Sequence, residues 1–211
     1  MIEYQASLLD FALPDPAVGF SSVANIRRTW LSSSAWVDHL PGWLTGSEAL
    51  FDRLLEHVPW VAERRWMYSR QVDVPRLTCH YDTGERLPDP MLVRARRLVS
   101  DHYEDEMGEP LTSAGLCLYR GGTDSVAWHG DTLGRGKTED TVVAILSLGS
   151  ERTLALRPRG GGAARHRFAA GHGDLIVMGG SCQRTWEHAV PKTTRPVGPR
   201  ISVQFRARGV R

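Results

Sequence analysis

The sequence predicts an α+β fold, with helices gathered in the first half and strands in the second. Two stretches carry apolar residues at helical spacing, and both lie before residue 104. From Leu116 onward the apolar residues alternate or run in short blocks between glycine-containing turns. No repeat and no linker divides the 211 residues, and 41% hydrophobic content is enough for one core, so a single domain over 1–211 is expected. Within it, 1–110 is expected to supply an N-terminal extension and supporting helices, and 111–211 the strand-rich core.

Taken in order, residues 1–44 hold Trp30, Trp36 and Trp43 among prolines and serines. They are expected to form an irregular layer with aromatic anchors. Thr45-Gly46-Ser47-Glu48 has the form of a capping box. Leu50, Phe51, Leu54, Leu55 and Val58 follow with helical spacing, and Pro59 ends that helix. Trp66 to Val72 is expected as a strand. Pro75-Arg76-Leu77-Thr78-Cys79-His80-Tyr81-Asp82 leads into a polar loop ending at Pro88. Asp89 and Pro90 mark the N-cap and first turn of a second helix, with Leu92, Ala95, Leu98, Val99 and Tyr103 along one stripe. Leu116 and Leu118 open the strand region. Asp131 to Asp140 is a polar loop, and Val142 to Leu148 is an apolar run that suits a buried strand. Thr153 to Arg157 alternates, and Gly160-Gly161-Gly162 forms a loop flanked by Arg157, Arg159, Arg165 and Arg167. Asp174 to Met178 is a short strand that Gly179-Gly180 is expected to break.

Composition narrows the setting. The net charge is +2, and Lys137 and Lys192 are the only lysines, so nearly all the positive charge is arginine. Arginine suits phosphate recognition, although a GC-rich genome produces the same bias. No apolar run is long enough to cross a bilayer. Met1-Ile2-Glu3-Tyr4 lacks the basic-then-apolar pattern of a signal peptide. Cys79, Cys117 and Cys182 form no C-x-x-C pair. A soluble cytoplasmic monomer with reduced thiols is expected.

The chemistry centres on Tyr119 to Asp131, which ends in His129-Gly130-Asp131. Residues two apart on a strand share a face, so an imidazole and a carboxylate can converge on one metal. His188, in T-W-E-H-A-V-P, supplies a third ligand. Two histidines and one carboxylate form the facial set that holds Fe(II) with open positions. A rival pair, His172-Gly173-Asp174, sits before an apolar strand, where turn chemistry accounts for it. At the C-terminus, Arg200, Ser202, Gln204 and Arg206 alternate with Ile201, Val203 and Phe205. The two arginines then share one strand face, a receptor for a dicarboxylate.

An H-x-D, a distal His and an R-x5-R in that order resemble the AlkB family of Fe(II)- and 2-oxoglutarate-dependent dioxygenases, over Leu116 to Arg206. The resemblance implies a double-stranded β-helix, a jelly-roll variant, with helices packed on one sheet. It implies Fe(II) on His129, Asp131 and His188, and 2-oxoglutarate held by Tyr119, Arg200, Ser202 and Arg206. Arg200 would take the far carboxylate and Arg206 the iron-proximal one. The implied reaction consumes molecular oxygen and demethylates N-alkylated bases in DNA or RNA. Three positions depart from the pattern: Cys117 and Ser202 stand where the family has Asn, and Gln204 where it has Thr. Asp124 is expected to cap a turn, and Glu187 to face away from the metal. The resemblance places substrate contacts at Arg157 and Arg159, and Tyr81 in a short recognition lid from Cys79 to Pro88. A short lid offers little to offset base flipping, so single strands are the expected substrate. Two other readings share these motifs: an oxygenase acting on a protein or small molecule, and a jelly-roll nucleic-acid binder without turnover.

Overall fold

A computed structural model describes residues 19–67 and 70–210 of the chain. The elements in order are β1 (Gly19–Phe20), β2 (Arg27–Trp30), β3 (Ala35–Leu40), β4 (Leu44–Thr45), α1 (Glu48–His57), β5 (Val61–Met67), β6 (Arg70–Tyr81), α2 (Pro90–His102) and α3 (Glu104–Met107). Then come β7 (Leu111–Tyr119), β8 (Val126–His129), β9 (Val143–Gly149), β10 (Arg152–Pro158), β11 (His166–Ala170), β12 (Asp174–Gly180), α4 (Cys182–Thr185), β13 (Trp186–Val190) and β14 (Arg200–Ala207). An eight-stranded sheet runs β2-β3-β12-β9-β14-β7-β6-β5, and a four-stranded sheet runs β11-β10-β13-β8. Every pairing between these strands is antiparallel. This is the expected α+β jelly roll, with α1 and α2 on the outer face of the large sheet. Among the described residues no helix is long and apolar enough to cross a membrane.

Two apolar clusters explain the strand patterns. One packs α1 and α2 (Leu50, Leu54, Leu92, Ala95, Val99) on Leu116, Leu118, Ile201, Val203 and Phe205 of the large sheet. The other fills the space between the sheets with Val143, Ile145, Ile176 and Met178 against Leu154, Leu156 and Trp186. On β9, Ala144, Leu146 and Leu148 serve the first cluster while Val143 and Ile145 serve the second. A strand buried on both faces reads as an unbroken apolar run, which is why Val142 to Leu148 does not alternate. On β14 only one face is apolar, so the polar set Arg200, Ser202, Gln204 and Arg206 faces the space between the sheets.

Five local expectations change. The N-terminal layer is not irregular throughout: β3 lies inside the large sheet, paired with β2 and β12, and only the part before residue 19 and the Met1-to-Tyr4 reading lie outside the described residues. Trp36 and Trp43 are buried anchors, whereas Trp30 is 58% exposed. The stretch Trp66 to Val72 is the meeting of two antiparallel strands, β5 and β6, with residues 68–69 outside the described residues. The recognition lid expected from Cys79 to Pro88 opens as strand, because β6 runs on to Tyr81, paired with β7 from Leu77↔Leu118 to Tyr81↔Ala114. The capping box does not form, because Thr45 belongs to β4 and Ser47 is the N-cap without a side-chain cap bond. Its hydroxyl meets His172 Nε2 at 2.6 Å instead. Finally, β12 continues through Gly179 and Gly180. The glycine at 179 is needed because Trp36 lies across it, 2.0 Å from where a Cβ would stand. By contrast, Asp89 caps α2 as expected, accepting from Met91 N at 2.8 Å.

Candidate metal and co-substrate site

His129 ends β8, and its cross-strand partner in the small sheet is His188 on β13. Direct pairing places the two rings 4.2 Å apart between centroids. Asp131 follows as the chain leaves β8, with Oδ1 3.8 Å from His129 Nε2. Ligand atoms of His129, Asp131 and His188 all lie within 4.8 Å of one another. His129 Nδ1 is 2.8 Å from the carbonyl of Ala127. A carbonyl only accepts, so Nδ1 carries a proton and Nε2 is the nitrogen left for the site. Burial, aided by neighbouring His129 and opposed by Asp131, brings His188 down to about 3, so it is a neutral imidazole. Burial would push the Asp131 carboxyl up, but Arg206 and the two histidines hold it well below the usual range. Two imidazole nitrogens and an ionised carboxylate are the donor set that suits Fe(II).

A cavity of about 560 Å³ opens from these residues along the polar face of β14. Arg200 lies at its inner end, 2% exposed. Its Nε donates to Ser147 Oγ at 3.0 Å, and its Nη1 has no partner. Burial lowers its pKa, and the groups acting on it (Tyr119, Cys117 and Arg152) include no carboxylate. A buried guanidinium with an idle donor fits a bound carboxylate, because leaving such a group unpaired is costly. Tyr119 packs 5.3 Å from Arg200. Burial pushes its hydroxyl up to about 12, so it stays a donor. At the other end Arg206 Nε donates to Asp131 Oδ2 at 2.7 Å. The geometry thus fits a dicarboxylate lying between Arg200 and the triad.

The three positions that depart from the family pattern touch one another. Cys117 Sγ lies 3.8 Å from Gln204 Oε1, and Gln204 Nε2 donates to Ser202 Oγ at 2.6 Å. They form one hydrogen-bonded row on the cavity wall.

Tyr81 lines the cavity at its outer part, as do His80 and Leu133, which is 71% exposed. Arg157 and Arg159 do not line it. Arg157 pairs with Glu187 at 2.9 Å and lies 4.4 Å from the Trp128 ring. Arg159 donates to the carbonyls of Arg184 at 2.7 Å and Gln183 at 3.0 Å. Glu187 therefore turns away from the metal ligands, and Asp124 caps its turn by accepting from Arg120 N at 2.8 Å. The second H-G-D is scaffold. His172 Nδ1 accepts from Gly149 N at 2.8 Å, and Asp174 accepts from Gly42 N and Gly171 N, both at 2.8 Å. Sequence patterns missed Gln183, whose side chain accepts from Asp131 N at 3.0 Å. No spacing rule links residue 183 to residue 131, and only a buried glutamine beside the distal histidine could have hinted at it.

Residues 37–206 match the 2OG-Fe(II) oxygenase superfamily. The chain is 31% identical over 186 residues to human alpha-ketoglutarate-dependent dioxygenase alkB homolog 3, covering 79% of this chain and 64% of the relative. It is 29% identical over 198 residues to the Arabidopsis thaliana DNA oxidative demethylase ALKBH2, covering 76% and 62%. The chain thus spans a little under two thirds of the length of these relatives. In fold it is similar to a 2OG-Fe(II) oxygenase-family oxidoreductase from Burkholderia pseudomallei, with TM-score 0.54 and 15% identity over 82% of this chain and 87% of that one. It is also similar to OsALKBH1, with TM-score 0.56 and 12% identity over 85% and 99%. The chain belongs to the 2OG-Fe(II) oxygenase superfamily, and its AlkB-like character rests on both its motifs and these relatives.

Proposed function

We propose that the protein is an Fe(II)- and 2-oxoglutarate-dependent dioxygenase that oxidatively demethylates N-alkylated bases in nucleic acid, acting as a cytoplasmic monomer. The observation that carries this reading is one cavity holding the His129–Asp131–His188 set at one end and the buried, unsatisfied Arg200 at the other. The relative named a DNA oxidative demethylase supports the choice of nucleic acid. The three cysteines are free, as suits a reducing compartment.

In this reading His129, Asp131 and His188 hold the iron, and Arg200 with Tyr119 and Ser202 fixes the far carboxylate of 2-oxoglutarate. Iron, 2-oxoglutarate and molecular oxygen together supply the oxidation, giving succinate, carbon dioxide and an N-hydroxyalkyl group that leaves the base as an aldehyde. Arg206 keeps Asp131 ionised and would also pair with a carboxylate of 2-oxoglutarate. Ile145, Leu154 and Val190 give the cavity apolar walls. Tyr81 offers a ring to the base near the mouth. Arg157 and Arg159, tied into the fold by the bonds above, contribute through position rather than by gripping phosphate.

Single strands are the proposed substrate. Cys79 to Tyr81 is strand and residues 82–89 form a turn region, so this segment adds little surface over the mouth. Flipping a base out of a duplex costs a few kcal/mol, roughly, and a single strand avoids that cost. The test is succinate release with methylated single-stranded DNA, methylated RNA, the matching duplexes and a protein extract. Release coupled to demethylation of single strands supports the reading, and release with protein extract alone overturns the substrate.

A further inference from the structure

Asp131 is held from two sides, and one of them lies outside the residues assigned so far. Gln183 sits in the short helix α4, immediately before the strand that carries His188, and is 1% exposed. Its Oε1 accepts from the backbone N–H of Asp131 at 3.0 Å, and its Nε2 approaches Met178 Sδ at 3.9 Å. Its own carbonyl accepts from Arg159 Nη2 at 3.0 Å, while Arg159 Nε donates to Arg184 O at 2.7 Å and Arg159 N to Thr185 O at 2.9 Å. Arg159 thus binds three carbonyls at the end of α4. The helix is fixed on its other side by Ser181, which bonds Ser34 through backbone (2.9 Å) and hydroxyl (2.7 Å).

Between the clamp and the metal ligands lies Gly130. A Cβ there would stand 2.5 Å from Gln183 O, 2.6 Å from Arg159 Nη2 and 3.2 Å from Trp186 O. The chain therefore passes through the H-G-D against α4 with no room for a side chain. The glycine is the counterpart of Arg159, which fills the space a larger residue would take.

We infer that Gln183 and Arg159 are positioning residues for the metal site: they fix the backbone of Gly130 and Asp131 relative to His188, so that the carboxylate meets the metal without reorganisation. The inference rests on the iron reading of the triad. Groups that orient a metal ligand are typically worth 10- to 100-fold in affinity. A buried N–H left without its acceptor would also let the Asp131 backbone turn away.

The experiment is anaerobic titration of metal-free protein with Co(II), reading both affinity and the ligand-field absorption, alongside a thermal melt. The parent, His129→Ala, Gln183→Leu, Arg159→Met and Gly130→Ala are compared. Gln183→Leu is expected to bind Co(II) about tenfold more weakly, with a changed spectrum, while remaining folded. Arg159→Met, which keeps the Gln183–Asp131 bond, is expected to show a smaller loss. Gly130→Ala should resemble Gln183→Leu, because it displaces the same backbone. If Gln183→Leu does not fold, Arg159→Met and Gly130→Ala carry the test. Folded variants with the parent's affinity and spectrum overturn the inference and leave the iron reading standing. If His129→Ala binds Co(II) as the parent does, the iron reading itself falls.

Discussion

Arg206 Nε donates to Asp131 Oδ2 across 2.7 Å, joining the last strand of the large sheet to the carboxylate of the triad. One arginine therefore ties down the triad carboxylate while lining the same cavity as Arg200. Arg206→Lys replaces a fork with a point charge. It is expected to weaken Fe(II) and 2-oxoglutarate binding together, each by roughly tenfold or more, since charge-assisted hydrogen bonds contribute about 1.5–3 kcal/mol. Anaerobic titration in both orders checks this, and an effect on 2-oxoglutarate alone would contradict it.

Arg200 should behave differently. Its charge is buried with an idle Nη1, so the protein without co-substrate bears that cost. Arg200→Met is expected to keep or raise the melting temperature of the free protein while abolishing the rise that 2-oxoglutarate gives the parent. That rise corresponds to about 2.7 kcal/mol at a hundredfold excess over Kd. Cys117→Asn should bind 2-oxoglutarate at least as well as the parent. A large loss would show that the Cys117–Gln204–Ser202 row is tuned as a unit.

The two H-G-D segments should separate cleanly. His129→Ala and His188→Ala are expected to abolish turnover in a folded protein, because a facial site has no spare ligand. His172→Ala should keep iron. Metal content after reconstitution decides between them.

Asp174 gives the pH dependence. Burial pushes its carboxyl up, but His39 and the amides of Gly42 and Gly171 hold it below the usual range. A depressed folded pKa means its stabilisation is complete above the unfolded value of about 3.9 and is lost as pH falls through the lower folded value. Asp174→Asn should therefore lower the melting temperature by a few degrees at neutral pH. It should also flatten the loss of stability below about pH 4. Equal acid sensitivity in parent and variant would contradict this.

At the mouth, Tyr81→Ala should raise KM for a methylated single strand by roughly tenfold, the size of one lost stacking contact. Uncoupled 2-oxoglutarate decarboxylation should be unchanged, since the metal site is untouched. Equal activity on duplex and single strand would remove the argument from the short mouth segment.

What the sequence determined by itself was everything set by short-range periodicity. The two-residue period of β14 put Arg200, Ser202, Gln204 and Arg206 on one face, whereas β8 ends at His129 and Asp131 is brought beside it by contacts with Gln183 and Arg206. Asp89-Pro90 marked a helix start because capping is a contact between near neighbours. The tertiary structure decided whatever depended on partners distant in sequence. Cys79 to Tyr81 of the expected lid became strand because β7 pairs with it there. Gly179 and Gly180 stayed in β12 because Trp36 and the β3 edge take the space beside them. Ser47 rather than Thr45 became the N-cap of α1, with its hydroxyl on His172, and Arg159, expected at the substrate, fastens α4. Hydrogen-bond partners are chosen by proximity in space, and the fold alone brings residue 159 to 183 and residue 183 to 131.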